Sequence, residues 1–580
     1  MNTRRFYFLA GLVFVVALLV GGLGSQENVR AEEGSPSGVL TQQVYLPIVS
    51  MNAGIHPEEQ GLATVDDQGK LITRVLARGS PIHGANGMYF GPDGYLYIAS
   101  FSEGKIIVMD ADSGRIIKRI VPEMGMDSPD DLTFGPDGSL YWTSLASGRV
   151  GKMTPDGTQS LLVQLPPGPN PITFSDDGRL FVGLCFLGEG LYEIDPEGID
   201  PPHLIITNTG TLNAFDFGPD GYLYGPIYNE DKVVKIDVDS GEMWDFADDF
   251  GGTAAVKFDS LGRMYVAGPG AGTVTRMDLD SGERQVVAHL TPGLDNLAFD
   301  GRGRLFVSNA EEGSIVEALP NGKGRPVSPG GMISPGGIAL LTDGNGRESL
   351  FVTDLFTLRQ FNAQTGQQLS VERGLMWSLH TASPDGANVL VTSWMDNAVH
   401  VYDPATRTLL DTRLDFLGPM NAIRFQGDLV VSELGTSSVV RSSGPGDRQV
   451  LATLGLPVGL AATEDDLWVA DWAIGAVFQL IQDGNPVLIP VTFGLVNPEG
   501  LAVAPDGNLL VVESGAGRVS KIDLATGTVT PYVEGLKLGM PAMDSMPPYW
   551  IVNGLAVSPS GAVFVSGDIA NVIYRIDERP

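Results

Sequence analysis

The chain has 580 residues with 75 Gly and 39 Pro, and it is 43% hydrophobic and only 18% charged, the composition of an ordered, turn-rich protein rather than a disordered one. Its 36 basic and 69 acidic side chains leave a net charge of −33, a field that repels phosphate backbones and anionic lipid heads and argues against nucleic acid as a partner. Cys185 is the only cysteine, so an intrachain disulfide is excluded and stability must come from burial.

In chain order, Arg4 and Arg5 precede an apolar run from Phe6 to Leu23, the arrangement of a secretory signal. Val29-Arg30-Ala31 offers a small-residue cleavage site. Residues 1–31 therefore read as a signal peptide or, if uncleaved, an N-terminal membrane anchor. The expected location is secreted or extracellular, with membrane contact only in the uncleaved case. Residues 32–59, rich in Ser, Gly, Glu and Pro, form a linker that carries a short apolar piece, VYLPIV. A half repeat, GLATVDDQGKLITRVLA, follows at 61–77; pairing it with another half repeat would complete a ring and remove exposed edges.

From Asn86 onward one pattern recurs. NGMYFGPDGYLYIAS, PDDLTFGPDGSLYWTS, NAFDFGPDGYLYGPI, EGLAVAPDGNLLVVES and NGLAVSPSGAVFVSG are variants of it, with a DG turn between two alternating apolar runs as in a β-hairpin. Counting by the first strand, from Met88 to Leu555, gives twelve units about 41 residues apart, the period of a stacked or radial array. Each unit reads strand, turn, strand, loop, strand, turn, strand, as in GLAVAPDG, NLLVVESGAG, RVSKIDLATG and TVTPYV from Gly500 to Val533. Four short antiparallel strands make one propeller blade.

The fold expected is therefore all-β: tandem β-propellers with twelve four-stranded blades. The stretch PVSPGGMISPGG, which begins at Pro326, has the Gly and Pro density of a domain junction. It divides the chain into a first propeller at 60–327 and a second at 328–580, two rings of six, with seven plus five the competing split.

The combination of apolar strand, PDG, LYV and IDxxTG resembles the senescence marker protein and gluconolactonase-like family of six-bladed propellers, and also the extracellular NHL-repeat proteins, over residues 60–580. The resemblance implies propeller geometry, in which the loops entering each first strand and leaving each second strand share one face of the ring. One residue per blade, two positions before the middle apolar residue of its first strand, then points into the channel mouth. In the first ring this column reads Asn86, Asp130, Asn170, Asn213, Ala254 and Asp295, and in the second Gly336, Trp377, Asn421, Val458, Glu499 and Asn553.

Short oxygen-bearing side chains around one axis suit a hard divalent cation, Ca²⁺ first, which takes six to eight oxygens. Asn86, Asp130, Asn170, Asn213 and Asp295 are the candidate metal ligands. The family, as the resemblance implies, draws its ligands from this column: a Glu, two Asn and an Asp that also acts as a base. PDD places Asp130 like that family's PDG, and ANG places Asn86 like its NG. Asp295 stands where a second Asn is expected and Asn213 where the Glu is, two departures. The competing reading is that Asn and Asp before a strand simply make Asx turns.

The second ring has its own candidates. Asp354, Ser393, Glu433, Asp471, Glu513 and Gly567 end its second strands, and Trp377, Trp394, Trp472 and Trp550 lie in loops on the same face. Aromatic faces beside acids and amides suit a sugar or peptide, with Trp377, Asn421, Asp471, Trp472, Glu499 and Asn553 as the candidate ligand-binding set. Rim charges in solvent, and tryptophans filling space between blades, are the plainer alternatives.

DADSG, DVDSG and DLDSG read as hairpin turns rather than calcium loops. The histidines show no HxH or HExxH spacing. His83, three residues before Asn86, is the one histidine placed to act as an acid or base.

Three functions follow. The first is a secreted module that binds a small molecule, glycan, peptide or partner protein at its channel mouths, with a divalent cation in the first ring. The second is a metal-dependent lactone or ester hydrolase with Asp130 as base, and the third a propeller lyase using His83. Whether the chain is an enzyme is left open.

Overall fold

The computed structural model describes residues 64–65, 70–123, 128–228, 230–375, 378–541 and 551–579. The segments 1–31 and 32–59, Trp377 and Trp550 lie outside the described residues.

The repeated turns work as their residue types dictate. Gly94 sits at φ 81°, while Gly91 N–H donates to the Tyr95 carbonyl at 2.9 Å and Tyr95 N–H to Asp93 Oδ1 at 3.1 Å. Gly supplies the left-handed position and Asp ties down the backbone two residues on. Asp137, Asp220 and Asp506 do the same for Ser139, Tyr222 and Asn508. The DSG carboxylates of Asp110, Asp237 and Asp278 accept N–H groups of their own loops, as hairpin turns do.

Among the described residues twelve antiparallel sheets result, eleven of them four-stranded. The first strands of the six sheets between Ala85 and Ser328 pack in sequence, and Leu294–Phe299 of the sixth closes against Ala85–Phe90 of the first. An aromatic pair marks every seam of this ring. Tyr97 meets Phe134, Tyr141 meets Phe174, Phe181 meets Phe217, Tyr224 meets Phe258, Tyr265 meets Phe299, and Phe306 returns to Phe90, with ring centroids 4.9–5.4 Å apart. Tilted and edge-on contacts of this kind add about 0.5–1.5 kcal/mol each beyond area burial.

The remaining six sheets close likewise, Pro335–Thr342 against Leu555–Val557. This seam is aliphatic, built from Ile338, Val352, Ile573 and neighbours around Phe564. The last blade is completed from the other end of the chain. Leu71–Arg78 pairs with Val572–Glu578 in the register Leu71↔Glu578 to Arg78↔Val572, so residues 71–78 belong with the second ring and not with the first propeller to which the 60–327 division assigns them. An edge strand takes whichever edge lacks a neighbour, and here that is the open side of the final hairpin.

Two connectors, 79–84 and 329–334, therefore run between the rings, and they are bonded to each other. Ser80 N–H donates to the Met332 carbonyl at 2.8 Å and Gly79 N–H to that of Asn571 at 2.6 Å. A Cβ on Gly79 would lie 2.3 Å from Met332 O, so the crossing requires glycine.

The rings also meet through side chains. Phe101 and Leu145, with Phe186 and Leu187, leave the second strands of the first ring and join Leu355, Trp394, Met395, Met420, Met540 and Val552 of the second in one apolar cluster. Both groups lie on the face of their ring where second strands end, so the two channel mouths face each other across this layer.

Candidate site in the first-ring channel

The acid placed just before a strand is explained by a bulge. In the first strands the register shifts between Ala85 and Met88, Pro129 and Leu132, Pro169 and Ile172, and Leu294 and Leu297. Extra residues in one strand bend it and re-aim side chains, here Asn86, Asp130, Asn170 and Asp295.

Three of the expected residues are brought together. Asn86 Nδ2 donates to Asp130 Oδ1 at 3.1 Å, and the charge of Asp295 acts on Asp130. Burial, then Asp295 and Asp131, push the Asp130 carboxyl well above the carboxylate range, against the Asn86 bond that lowers it. Burial and then Asp131 push Asp295 to about 7. Asn170 and Asn213 occupy the same column and are buried; the Asn170 carbonyl accepts from Thr143 Oγ1 at 2.7 Å, and Asn213 N–H donates to Pro226 O at 3.0 Å.

The neighbours of this cluster were not singled out from the sequence. Cys185 is fully buried and its thiol is pushed up by burial, Asp130 and Asp295. Tyr228 is pushed up by burial, Asp295 and Glu311. Asp131 accepts from Asn296 Nδ2 at 3.2 Å and Leu132 N–H at 2.9 Å, and burial raises it to about 6 while Lys257 lowers it. The signal for Asp131 and Asn296 was present as the last letters of PDD and DN, because a bulge involves both of its residues.

His83 is placed elsewhere. It is 6% exposed, its Nε2–H donates to the Asp568 carbonyl of the second ring at 3.0 Å, and Nδ1 lies 3.6 Å from Glu103. Burial alone would raise Glu103, but His83, Arg119 and Lys105 hold it far below the usual range. With Nε2 committed to the neighbouring ring, His83 clamps the junction and is not an acid or base at an open rim.

The second-ring candidates divide in two. Asp471 is fully buried and accepts N–H groups of Gly455, Leu456 and Ile474 at 2.8–2.9 Å; it anchors loops and is not a ligand-facing rim acid. Trp472 is half-buried against the layer between the rings rather than standing on an open rim. Glu499, Asn553 and Asn421 line the second channel, and Asn421 Oδ1 accepts from Ser383 Oγ at 3.0 Å.

Fold and site together define a tandem β-propeller with a buried acid and amide cluster in one channel. Neither a protein family nor a curated protein matches the sequence. Among solved structures the chain is similar to virginiamycin B lyase from Staphylococcus aureus, at 14% identity and TM-score 0.34 over 56% of this chain and 96% of that one. It is also similar to a gluconolactonase from Xanthomonas campestris, at 16% identity and TM-score 0.34 over 41% and 87% of the two chains. A calcium-binding regucalcin from Agrobacterium tumefaciens aligns at 20% identity and TM-score 0.33 over 40% and 84%. Likenesses of this degree attach no activity to the chain.

Proposed function

We propose that this protein is a secreted tandem propeller that binds a small polar ligand in its first ring, through Asn86, Asp130 and Asp295 and with the help of a divalent cation. One observation carries the reading: Asp130 is buried and Asp295 half-buried, and the groups that act on them are other acids and one amide. Buried carboxylates without a positive partner are strongly disfavoured, and a hard cation would relieve both at once. Among the described residues no three His, Cys, Asp or Glu side chains cluster as a metal site, so such an ion would take its remaining oxygens from Asn amides and water. When bound, the cation would keep the two acids ionised and polarise a ligand carbonyl.

Hydrolysis of a lactone or similar ester is the second reading, favoured by the raised Asp130 carboxyl. A carboxylate whose proton affinity is raised is the stronger base for proton abstraction. Export rests on Arg4, Arg5 and the apolar run after them.

Calcium titration of the chelated protein tests the proposal. Calcium is expected to bind at one site and raise Tm, and Asp130→Asn and Asp295→Asn to weaken it by about tenfold or more. No heat and no Tm shift would remove the cation. Ester or lactone turnover lost in Asp130→Asn with calcium still bound would make the protein a hydrolase.

A further inference from the structure

The second ring contains a cavity of about 400 Å³ running along its channel. Thr342, Pro384 and Arg424 stand at one end and Val458, Glu499 and Asn553 at the other. Val458 also belongs to the apolar layer between the rings, so the channel is a funnel that opens away from the first ring and ends blindly beneath it. Its walls divide about evenly between polar and apolar surface, with Ile338, Leu340 and Leu460 among the apolar residues.

The inner end presents Glu499 and Asn553. Glu499 is 4% exposed, with Oε1 accepting from Ser514 Oγ at 2.8 Å and Oε2 from Asn553 N–H at 2.6 Å. Asp568, 2% exposed, accepts N–H groups of Gly539, Met540 and Ile569 at 2.8–3.0 Å, and its charge acts on Glu499. Asn553, 1% exposed, donates from Nδ2 to the Ser566 carbonyl at 3.1 Å, and its Oδ1 has no hydrogen-bond partner among the described residues. The Glu499 carboxylate and the Asn553 amide thus line the inner end of the cavity, with the charge of Asp568 behind them.

We propose that this cavity binds a primary organic ammonium ion, its head at Glu499 and Asn553 with Asp568 adding negative charge behind them, and its hydrocarbon part along Ile338, Leu340 and Leu460. An ammonium carries three donors and no acceptor, matching an amide oxygen that lacks a donor beside a carboxylate. A bare divalent ion needs six or more oxygens, more than Glu499 and Asn553 supply. Arg424 at the entrance is neutralised by Asp385, bonded at 3.1 and 2.9 Å, and the net charge of −33 draws cations toward the surface.

The test is titration of the full chain with n-butylammonium and phenethylammonium chlorides in an amine-free phosphate buffer, followed by calorimetry and thermal shift. Saturable binding at one site and a raised Tm are expected. Neutral 1-pentanol and n-butyltrimethylammonium, which lacks N–H donors, are expected not to bind. Glu499→Gln and Asn553→Ala are expected to weaken the amine by about tenfold or more, while Asp130→Asn in the other ring leaves its affinity unchanged. No amine binding up to about 10 mM, equal binding of pentanol, or calcium binding that Glu499→Gln abolishes in place of amine binding would each overturn the proposal. The comparison among ligands keeps it falsifiable should a variant fail to fold.

Discussion

In the first ring the second strands end on residues such as Ser100, Ser144, Leu184 and Gly268, whereas in the second ring they end on Asp354, Glu433, Asp471 and Glu513. The second-ring acids are all consumed locally. Asp354 accepts from Ile333 and Ser334 N–H and pairs with Arg359 at 2.6 Å; Glu433 takes Leu417 N–H and both arms of Arg448. In the first ring Ser100 Oγ does the equivalent stapling by accepting from His83 N–H at 3.1 Å, and the acids sit in the channel instead.

The lesson is that a buried carboxylate is defined by its donors rather than its depth. Burial alone would raise Glu513, yet Arg518, Ser520 and Val496 N–H hold it low. Glu499, also buried, is pushed up to about 8 because burial and Asp568 outweigh the bonds it receives.

The contrast breaks first at Asp354. Arg359 and Asp354 are 1% and 0% exposed, and removing one partner of a buried pair costs about 3–5 kcal/mol. Asp354→Ala is therefore expected to lower the denaturant midpoint of the second ring and leave the first ring unchanged. A loss below about 1 kcal/mol would mean that the staple contributes no more than a surface pair.

The channel acids should show in the pH dependence of the metal-free protein. Asp295, at about 7, and Glu499, at about 8, lie above their ordinary values of 3.8 and 4.5. Each favours the fold when protonated, so its contribution is complete below about pH 4 and is lost as pH rises through about 7 and 8 respectively. Tm measured from pH 5 to 9 should fall less steeply in Asp295→Asn and in Glu499→Gln than in the parent. Parallel curves would show that these acids are not destabilised by burial.

The smallest expected effect sharpens the difference in seams. Tyr97→Leu removes one aromatic pair of the first ring, worth about 1 kcal/mol, and should shift only the first-ring transition. A shift in both transitions would mean that the seams are coupled across the junction.

Blade pattern and turn chemistry were legible in the sequence because they rest on contacts within a few residues, such as Asp93 with Tyr95. The column of Asn86, Asp130 and Asp295 was legible because the repeat fixes register, and the bulge that re-aims these side chains falls at the same place in each of their blades. Three matters were hidden. Asp471 and Glu499 are both acidic residues of one ring, and only the donors around each separate an anchor from a channel group. The apolar layer over the mouths uses Phe101, Leu145 and Phe186, which follow second strands at the repeat spacing, but their partners lie in the other ring. The pairing of Leu71 with Glu578 joins residues about 500 positions apart, beyond any local pattern.

That last pairing sets an order of assembly. The first ring is an insertion within the second, flanked by two strands of the last sheet made before it and by five blades and the other three strands made after. On the ribosome the first ring can close once Ser328 has emerged, while Leu71–Arg78 waits, its edge unpaired, until Val572–Glu578 is synthesised. A chain arrested anywhere between keeps that apolar edge open to neighbouring chains, so nascent molecules that stall late are the ones most exposed to strand exchange.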